Sequence, residues 1–213
     1  MKILGLTGSI GMGKSTAAAL LRRLGWPVHD ADSTVHALMA KGGAAVAAID
    51  AAFPGVVMDG AVSRPELGKR VFDDAAALRR LEAILHPLVR AQEKAFLRRH
   101  MLRGTRLVVL DIPLLFETKG DKRCDAVAVV SCPAFLQAQR VLRRPGQSPG
   151  RLAAIRAQQM PDFDKRRRAD FVVPSGAGKG PALRKLKLAL TSLLSQPGPG
   201  AWPPRPKPRY GHA

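Results

Sequence analysis

The sequence predicts an α/β fold: a central parallel five-stranded sheet with helices covering both faces. Three observations carry this. Five short, mostly apolar runs, at residues 3–7, 26–29, 107–110, 126–130 and 171–173, read as buried strands. Stretches with apolar residues at helical spacing separate them, as a parallel sheet with crossover helices requires. A glycine-rich segment also follows the first run directly and leads into the first helix.

The first strand, residues 3–7, is apolar and bounded by Gly8. Residues 14–24 predict a helix, because Ala17, Leu20, Leu21 and Leu24 fall on one face and Gly25 stops it. Residues 26–29 form a second short strand that ends at Asp30-Ala31-Asp32. Helices follow at about residues 33–40 and 44–53, divided by Lys41-Gly42-Gly43. Pro54-Gly55, Asp59-Gly60 and Pro65 mark turns. Residues 66–72 and 75–99 are helical in pattern, the second with Leu78, Leu81, Leu85, Val89 and Phe96 as its apolar stripe. His86-Pro87 interrupts that stripe, since proline lacks a backbone donor and favours a helix start or a kink.

Residues 107–110 run as a buried strand into Asp111, and Pro113 ends it. The strand at 126–130 is followed by Cys132-Pro133 and a helix at about 134–143. A Pro-Gly loop spans residues 145–150, and the helix after it, residues 151–160, is closed by Pro161. The last strand lies at 171–173, and a final amphipathic helix at 183–194 carries Leu186, Leu190, Leu193 and Leu194. Residues 197–213 are rich in proline and basic side chains; they cannot build a core and are expected to be disordered.

At 213 residues the chain is long enough for one substantial core and short for two ordinary domains. Aromatic residues make up only 5%, so the core must rest on aliphatic side chains. A formal charge of +19 favours polyanionic partners, among which nucleic acid, nucleotides and phosphorylated metabolites all qualify. Cys124 and Cys132 are too few for a disulfide framework or a zinc cluster and read as ordinary cysteines. No run reaches the roughly 18 apolar residues of a membrane span. The apolar N-terminus is broken by glycines and Lys14, so an intracellular protein with no membrane partner is expected, with no domain before the glycine-rich segment.

That segment, Gly8-Ser9-Ile10-Gly11-Met12-Gly13-Lys14-Ser15, matches G-x-x-x-x-G-K-[ST] without a gap, between a buried strand and an amphipathic helix. The pattern suits a nucleoside triphosphate. The glycines let successive N–H groups turn inward toward phosphate oxygens, and the helix start adds its positive end. Lys14 reaches the outer phosphates, and the Ser15 hydroxyl is placed for Mg²⁺. The expected ATP-binding set is therefore Gly8, Ser9, Ile10, Gly11, Met12, Gly13, Lys14, Ser15 and the adjoining Thr16.

The loop alone does not separate a kinase from a hydrolase or a switch. Asp30 and Asp32 follow the second strand, at the sheet edge where open α/β sheets bind ligands. A carboxylate there can take the proton of an attacking hydroxyl. Asp32 can equally cap the helix beginning at Ser33. Asp111 ends another strand on the same edge and can hold Mg²⁺ or a metal-bound water. Arg140, Arg143, Arg144, Arg151, Arg156, Lys165, Arg166, Arg167 and Arg168 crowd one stretch, either as a cover closing over phosphates or as a solvated basic face.

Taken together these stretches resemble the dephospho-CoA kinases. The likeness runs from Ile3 to about Leu194 and rests on the residues 6–15, Asp30-Ala31-Asp32 with His36, Leu85-His86-Pro87, the string 110–117, Gln158-Gln159-Met160-Pro161 with Lys165-Arg166, and Ala169-Asp170-Phe171-Val172. The resemblance implies transfer of the ATP γ-phosphate to the ribose 3′-hydroxyl of dephospho-CoA, with Asp32 as the base. It implies His86, Asp111 and Arg140 on the substrate side, Arg140 meeting phosphates, and a cytoplasmic enzyme. A monomer is expected ahead of an oligomer, which the sequence leaves open. The resemblance also implies a phosphate-loop core like that of nucleoside monophosphate kinases. That single kinase domain, 1–196, comprises a core (1–32, 101–138, 170–196), a helical substrate-binding insertion at about 33–100 and a lid at about 139–169. Val173-Pro174-Ser175-Gly176 departs from the polar Asp-Asn pair that many members carry near adenine. A nucleotide or nucleoside kinase and a nucleic-acid-binding NTPase are the alternatives, although no nucleic-acid module is recognisable.

Overall fold

The computed structural model describes residues 1–72, 74–198 and 200–203. Residues 204–213, most of the segment expected to be disordered, lie outside the described residues. In chain order the elements are β1 (Lys2–Thr7), α1 (Lys14–Arg23), β2 (Val28–Asp30), α2 (Ala31–Met39), α3 (Val46–Ala52), β3 (Val57–Met58) and β4 (Ala61–Val62). There follow α4 (Arg64–Val71), α5 (Ala75–Leu102), β5 (Leu107–Asp111), β6 (Ala126–Ser131), α6 (Ala134–Leu142), α7 (Pro149–Ala157), α8 (Asp162–Arg168), β7 (Phe171–Pro174) and α9 (Lys179–Ser195). They form two compact units, one of Met1–His29 with the chain from His100 on, the other Asp30–Arg99.

The first unit is built on the five-stranded sheet, in the order β2-β5-β1-β6-β7. β1 pairs in parallel with β5 and with β6, and β7 pairs in parallel with β6. Every residue of β5 and β6 is buried, which is why both read as continuous apolar runs rather than alternating ones. The two faces still separate with period two. Ala126, Ala128 and Val130 pack with Leu4, Leu6, α1 and α9, through Leu20, Leu21, Leu186, Leu190 and Leu193. Val127 and Val129 point the other way, against Leu115, Phe116 and Met160. Each fully buried leucine contributes roughly 1.5–3 kcal/mol, so this aliphatic core needs few aromatics.

Register positions the chemistry. Leu6 lies opposite Asp111 on one side and Ala128 on the other. The loop that starts at Gly8 therefore leaves the sheet beside the end of β5 and close to the end of β6.

The second unit is helical apart from a hairpin. Its core is Leu38, Ile49, Phe53, Val62, Leu67, Ala77, Leu81 and Leu85. β3 and β4 pair antiparallel, Val57 with Val62 and Met58 with Ala61. Asp59 (φ 51°) and Gly60 (φ 80°) make the two-residue turn, the geometry that Asp-Gly favours between strands.

Three sequence expectations are corrected. α5 runs unbroken from Ala75 to Leu102 with Pro87 inside it. A proline forfeits one ladder bond, and here buried positions on both sides, Leu81 and Leu85 before and Phe96 and Leu97 after, hold the helix together. Leu78 is 39% exposed, and Ala77 takes its place in the apolar stripe. α2 begins at Ala31, two residues earlier than expected, so its cap is Asp30 and not Asp32: the Asp30 carboxylate accepts the Ser33 N–H at 3.0 Å.

The start of the proline-rich segment is also bonded to the body. Ala201 N–H donates to both carboxylate oxygens of Asp125, at 2.8 and 3.0 Å, and Gly200 packs on the backbone of Met1.

Candidate active site

The loop after β1 is shaped by what surrounds it. At Gly8 a Cβ would come 2.7 Å from the Val130 carbonyl, so only glycine lets the chain pass β6 this closely. Gly13, at φ 92°, turns the chain into α1, whose first turn holds no acidic residue and whose cap makes no side-chain bond. The positive end of the helix is thus left for an anion, although the Thr16 and Ala17 N–H groups already donate to the Gly13 carbonyl. Ser15 and Thr16 are exposed on that first turn.

Lys14 and Asp111 meet. The Lys14 ammonium lies 2.7 Å from Asp111 Oδ1, with the side chains 13% and 1% exposed. β1–β5 pairing brings the two together, because Asp111 ends β5 alongside Leu6. Thr7 Oγ1 donates to the Pro113 carbonyl at 2.9 Å, tying the segment after β5 to the base of the loop.

α6 flanks the loop on another side. The Gln137 amide donates to the Ile10 carbonyl at 2.8 Å, and Arg140 reaches the Gly11 carbonyl at 3.5 Å. The Arg140 guanidinium also donates to Ser175, 3.0 Å to its hydroxyl and 2.7 Å to its carbonyl. Ser175 Oγ in turn donates to the Met12 carbonyl at 2.5 Å. Ser175, just beyond β7, thus closes a link through Arg140 to the loop. From α7 and its C-terminal turn come Arg156, which donates to Gln137 Oε1, and Gln159, whose Oε1 accepts the Ile10 N–H at 3.1 Å. A cavity of about 470 Å³ borders Met12, with Arg156 and Arg166 in its wall.

Beneath this lies an ion pair. Lys165 is fully buried, 2.9 Å from Glu117 Oε1, and also donates to the Pro113 carbonyl at 3.3 Å. Glu117 accepts the Met160 N–H at 2.8 Å as well. Burial would raise the Glu117 pKa, but Lys165, its own backbone N–H and that of Met160 together hold it below its ordinary value. The pair anchors α8 to the segment that follows β5.

Of the residues singled out from sequence, Gly8 to Thr16, Asp111 and Arg140 all belong to the first unit and gather at the loop. Asp32 and His86 belong to the second unit, Asp32 exposed in the first turn of α2 and His86 exposed on α5. Cys124 and Cys132 take part in no disulfide among the described residues. Among the described residues no group of three or more His, Cys, Asp or Glu is placed to hold a metal. Among the described residues no helix is long and apolar enough to cross a membrane. Gln137, Gln159, Ser175 and Glu117 have no assigned role in the sequence reading, and Lys165, expected in a phosphate cover or a solvated basic face, is instead fully buried against Glu117. One signal was present: Gln137 and Arg140 are three residues apart on α6, hence on one helix face.

Comparison with known proteins points to one family. The family model described as dephospho-CoA kinase matches residues 2–179. A dephospho-CoA kinase of Rhodospirillum rubrum is 61% identical over 194 residues, covering 91% of this chain and 92% of its own. That of Paramagnetospirillum magneticum is 75% identical over 166 residues, 78% of either chain. A solved structure of a Thermus thermophilus protein superposes with a TM-score of 0.78 at 38% identity, over 90% of this chain and 97% of its own. The dephospho-CoA kinase from Campylobacter jejuni, at 21% identity and a TM-score of 0.60 over 90% of this chain and 97% of its own, shares the fold. With the motif, the Lys14–Asp111 pair and matches of this extent on one chain, the protein belongs to the dephospho-CoA kinase family.

Proposed function

We propose that the chain transfers the γ-phosphoryl group of ATP to the ribose 3′-hydroxyl of dephospho-CoA, releasing coenzyme A and ADP. The single observation that carries the reading is the phosphate loop with Lys14 held against Asp111 at its mouth.

In this reading the start of α1 and those loop N–H groups not already donated within the protein, as those of Ile10, Met12 and Thr16 are, hold the ATP phosphates, and Lys14 screens the outer ones. Arg140, already fixed on the loop carbonyl of Gly11 and on Ser175, offers its guanidinium to phosphate charge. Asp32 takes the proton of the attacking hydroxyl. The oxygen–phosphorus bond forms as the bond to the departing ADP breaks, so the step balances with one proton passed to the carboxylate. His86 lines the acceptor's side.

Mg²⁺ fits the donor set. Ser15 and Asp111 supply a hydroxyl and a carboxylate, the hard oxygen ligands it prefers, and among the described residues too few carboxylates gather for an all-protein cage. Ser15 and Asp111 would hold the ion together with the phosphates. Its chemistry there is to neutralise charge on them.

A panel of acceptors with ATP tests the reading. Turnover with dephospho-CoA, with product phosphorylated at the 3′ position, is expected. Robust turnover of AMP or a nucleoside with none of dephospho-CoA would replace this acceptor by a nucleotide or nucleoside.

A further inference from the structure

We propose that Gln137 is a positioning residue that couples Arg156 to the phosphate loop, so that phosphoryl transfer depends on it although it touches no substrate.

Three observations combine. Gln137 is 3% exposed, yet it is a polar side chain in the middle of α6. Burying an amide is costly unless each end is bonded, and here both ends are. Its Nε2 donates to the Ile10 carbonyl, and its Oε1 accepts from Arg156 Nε at 3.0 Å and from Arg156 Nη2. The amide can stand only one way round. Flipped, it would set its NH₂ against a guanidinium and its oxygen against a carbonyl.

The same loop residue is gripped a second time. The Ile10 N–H donates to Gln159 Oε1. Both polar groups of Ile10 are therefore held by side chains, one on α6 and one just beyond α7. Arg156 sits on α7, three residues before Gln159. Gln137 thus joins the loop, α6 and α7 in one chain of bonds. The guanidinium has five N–H donors in a rigid plane. Gln137 uses one edge of it and so fixes the direction of the rest. An aimed arginine serves transferring phosphate far better than a mobile one, because a displacement of about 1 Å can cost on the order of a hundredfold in rate.

The inference rests on the ATP-dependent kinase reading, and its test separates the two. Gln137→Met removes both ends of the link at similar volume; Gln137→Glu keeps an acceptor for Arg156 and removes the donor to Ile10. Steady-state kinetics with ATP and dephospho-CoA, ATP hydrolysis without acceptor, ADP affinity and melting temperature are measured for both. Both variants are expected to lose at least tenfold in kcat and in acceptor-free hydrolysis. ADP affinity should stay within threefold and KM for dephospho-CoA should not change. Arg156→Lys, which keeps the charge but loses the planar fork, is expected to lower kcat similarly, and the Gln137→Met/Arg156→Lys double variant should be no slower than the slower single one. Wild-type kcat in a folded Gln137 variant, or losses that multiply in the double variant, would overturn the proposal. If Gln137→Met fails to fold, Gln137→Glu decides it. A wild-type protein inactive toward dephospho-CoA would count against the acceptor alone, because acceptor-free hydrolysis still reads the effect of Gln137.

Discussion

The Lys14 ammonium lies 2.7 Å from the carboxylate of Asp111, and Asp111 is almost completely buried. One cation therefore has two tasks: it offers charge to phosphate and it compensates a buried anion. Replacement by alanine should separate them. Turnover of Lys14→Ala is expected to fall by about a hundredfold or more. Stability should also drop, by about 3 kcal/mol, because a buried carboxylate loses the ammonium paired with it. Lys14→Ala/Asp111→Asn should regain most of that stability and none of the rate. Urea midpoints beside kcat measure both. A Lys14→Ala protein as stable as wild type would mean that the pair contributes nothing net to the fold.

Asp30 and Asp32 are predicted to differ in kind. Asp30 accepts the Ser33 N–H and so caps α2. Asp30→Ala should cost about 1 kcal/mol of stability, whereas Asp30→Asn should cost almost none, since asparagine caps as well. Asp32 is exposed in the same first turn and is not the cap. Asp32→Asn should therefore leave the melting temperature alone and cut turnover by at least about a hundredfold, with ATP affinity nearly preserved. Full turnover in Asp32→Asn would end its assignment as the base.

The contiguous chemistry was legible and the long-range chemistry was not. The strand, loop and helix from Lys2 to Arg23 announce themselves because motif and periodicity lie on neighbouring residues. β3 and β4 are two residues each, too short to display an alternating pattern, although the Asp59-Gly60 turn between them was visible. Pro87 was read by its local cost, and the packing of Leu81, Leu85, Phe96 and Leu97 overrode it. Gln137 to Ile10 and Gln159 to Ile10 span 127 and 149 residues of sequence. No local rule reaches that far, and a glutamine carries no signature of what it will bond.

Glu117 and Lys165 give a pH prediction. The folded protein holds the Glu117 pKa below its ordinary value, against the opposing effect of burial, through Lys165 and two backbone N–H groups. A carboxyl with a depressed folded pKa binds more protons when unfolded at intermediate pH, so stability rises with pH there. The contribution is complete above about pH 5 and is lost as pH falls through the folded pKa. Glu117→Gln should consequently be less stable than wild type at pH 7, by about 3–5 kcal/mol because Lys165 is left buried and unpaired. That gap should narrow below about pH 4. Replacing both, as Glu117→Gln/Lys165→Met, should recover much of the loss. Urea titrations from acid to neutral pH would show a constant gap if the pair had no role.

The last prediction concerns the segment after α9, where sequence and structure part. Its composition suggests that truncation after Gln196 would change nothing. Yet Ala201 N–H is shared between the two oxygens of Asp125, and Asp125 Oδ2 also accepts the Ile3 N–H at 2.6 Å. One carboxylate thus clamps the start of β1 and the chain beyond α9 together. Lys2 adds its ammonium at 3.9 Å from Asp125. A bond from an N–H to a charged acceptor is worth about 1.5–3 kcal/mol, so truncation after Gln196 should cost an amount of that order. Truncation after Pro203 keeps Ala201 and isolates the effect. Gly200→Ala should imitate the shorter truncation, because a Cβ there would strike the Met1 backbone. None of these changes should alter kcat, since they act on the first residues of β1 while the phosphate loop leaves from its last. The measurements are urea midpoints and turnover of the two truncations beside Gly200→Ala. Equal stability of both truncations would show that the Ala201–Asp125 contact contributes nothing net, and a lower kcat with unchanged stability would place the segment in the reaction instead of in the fold.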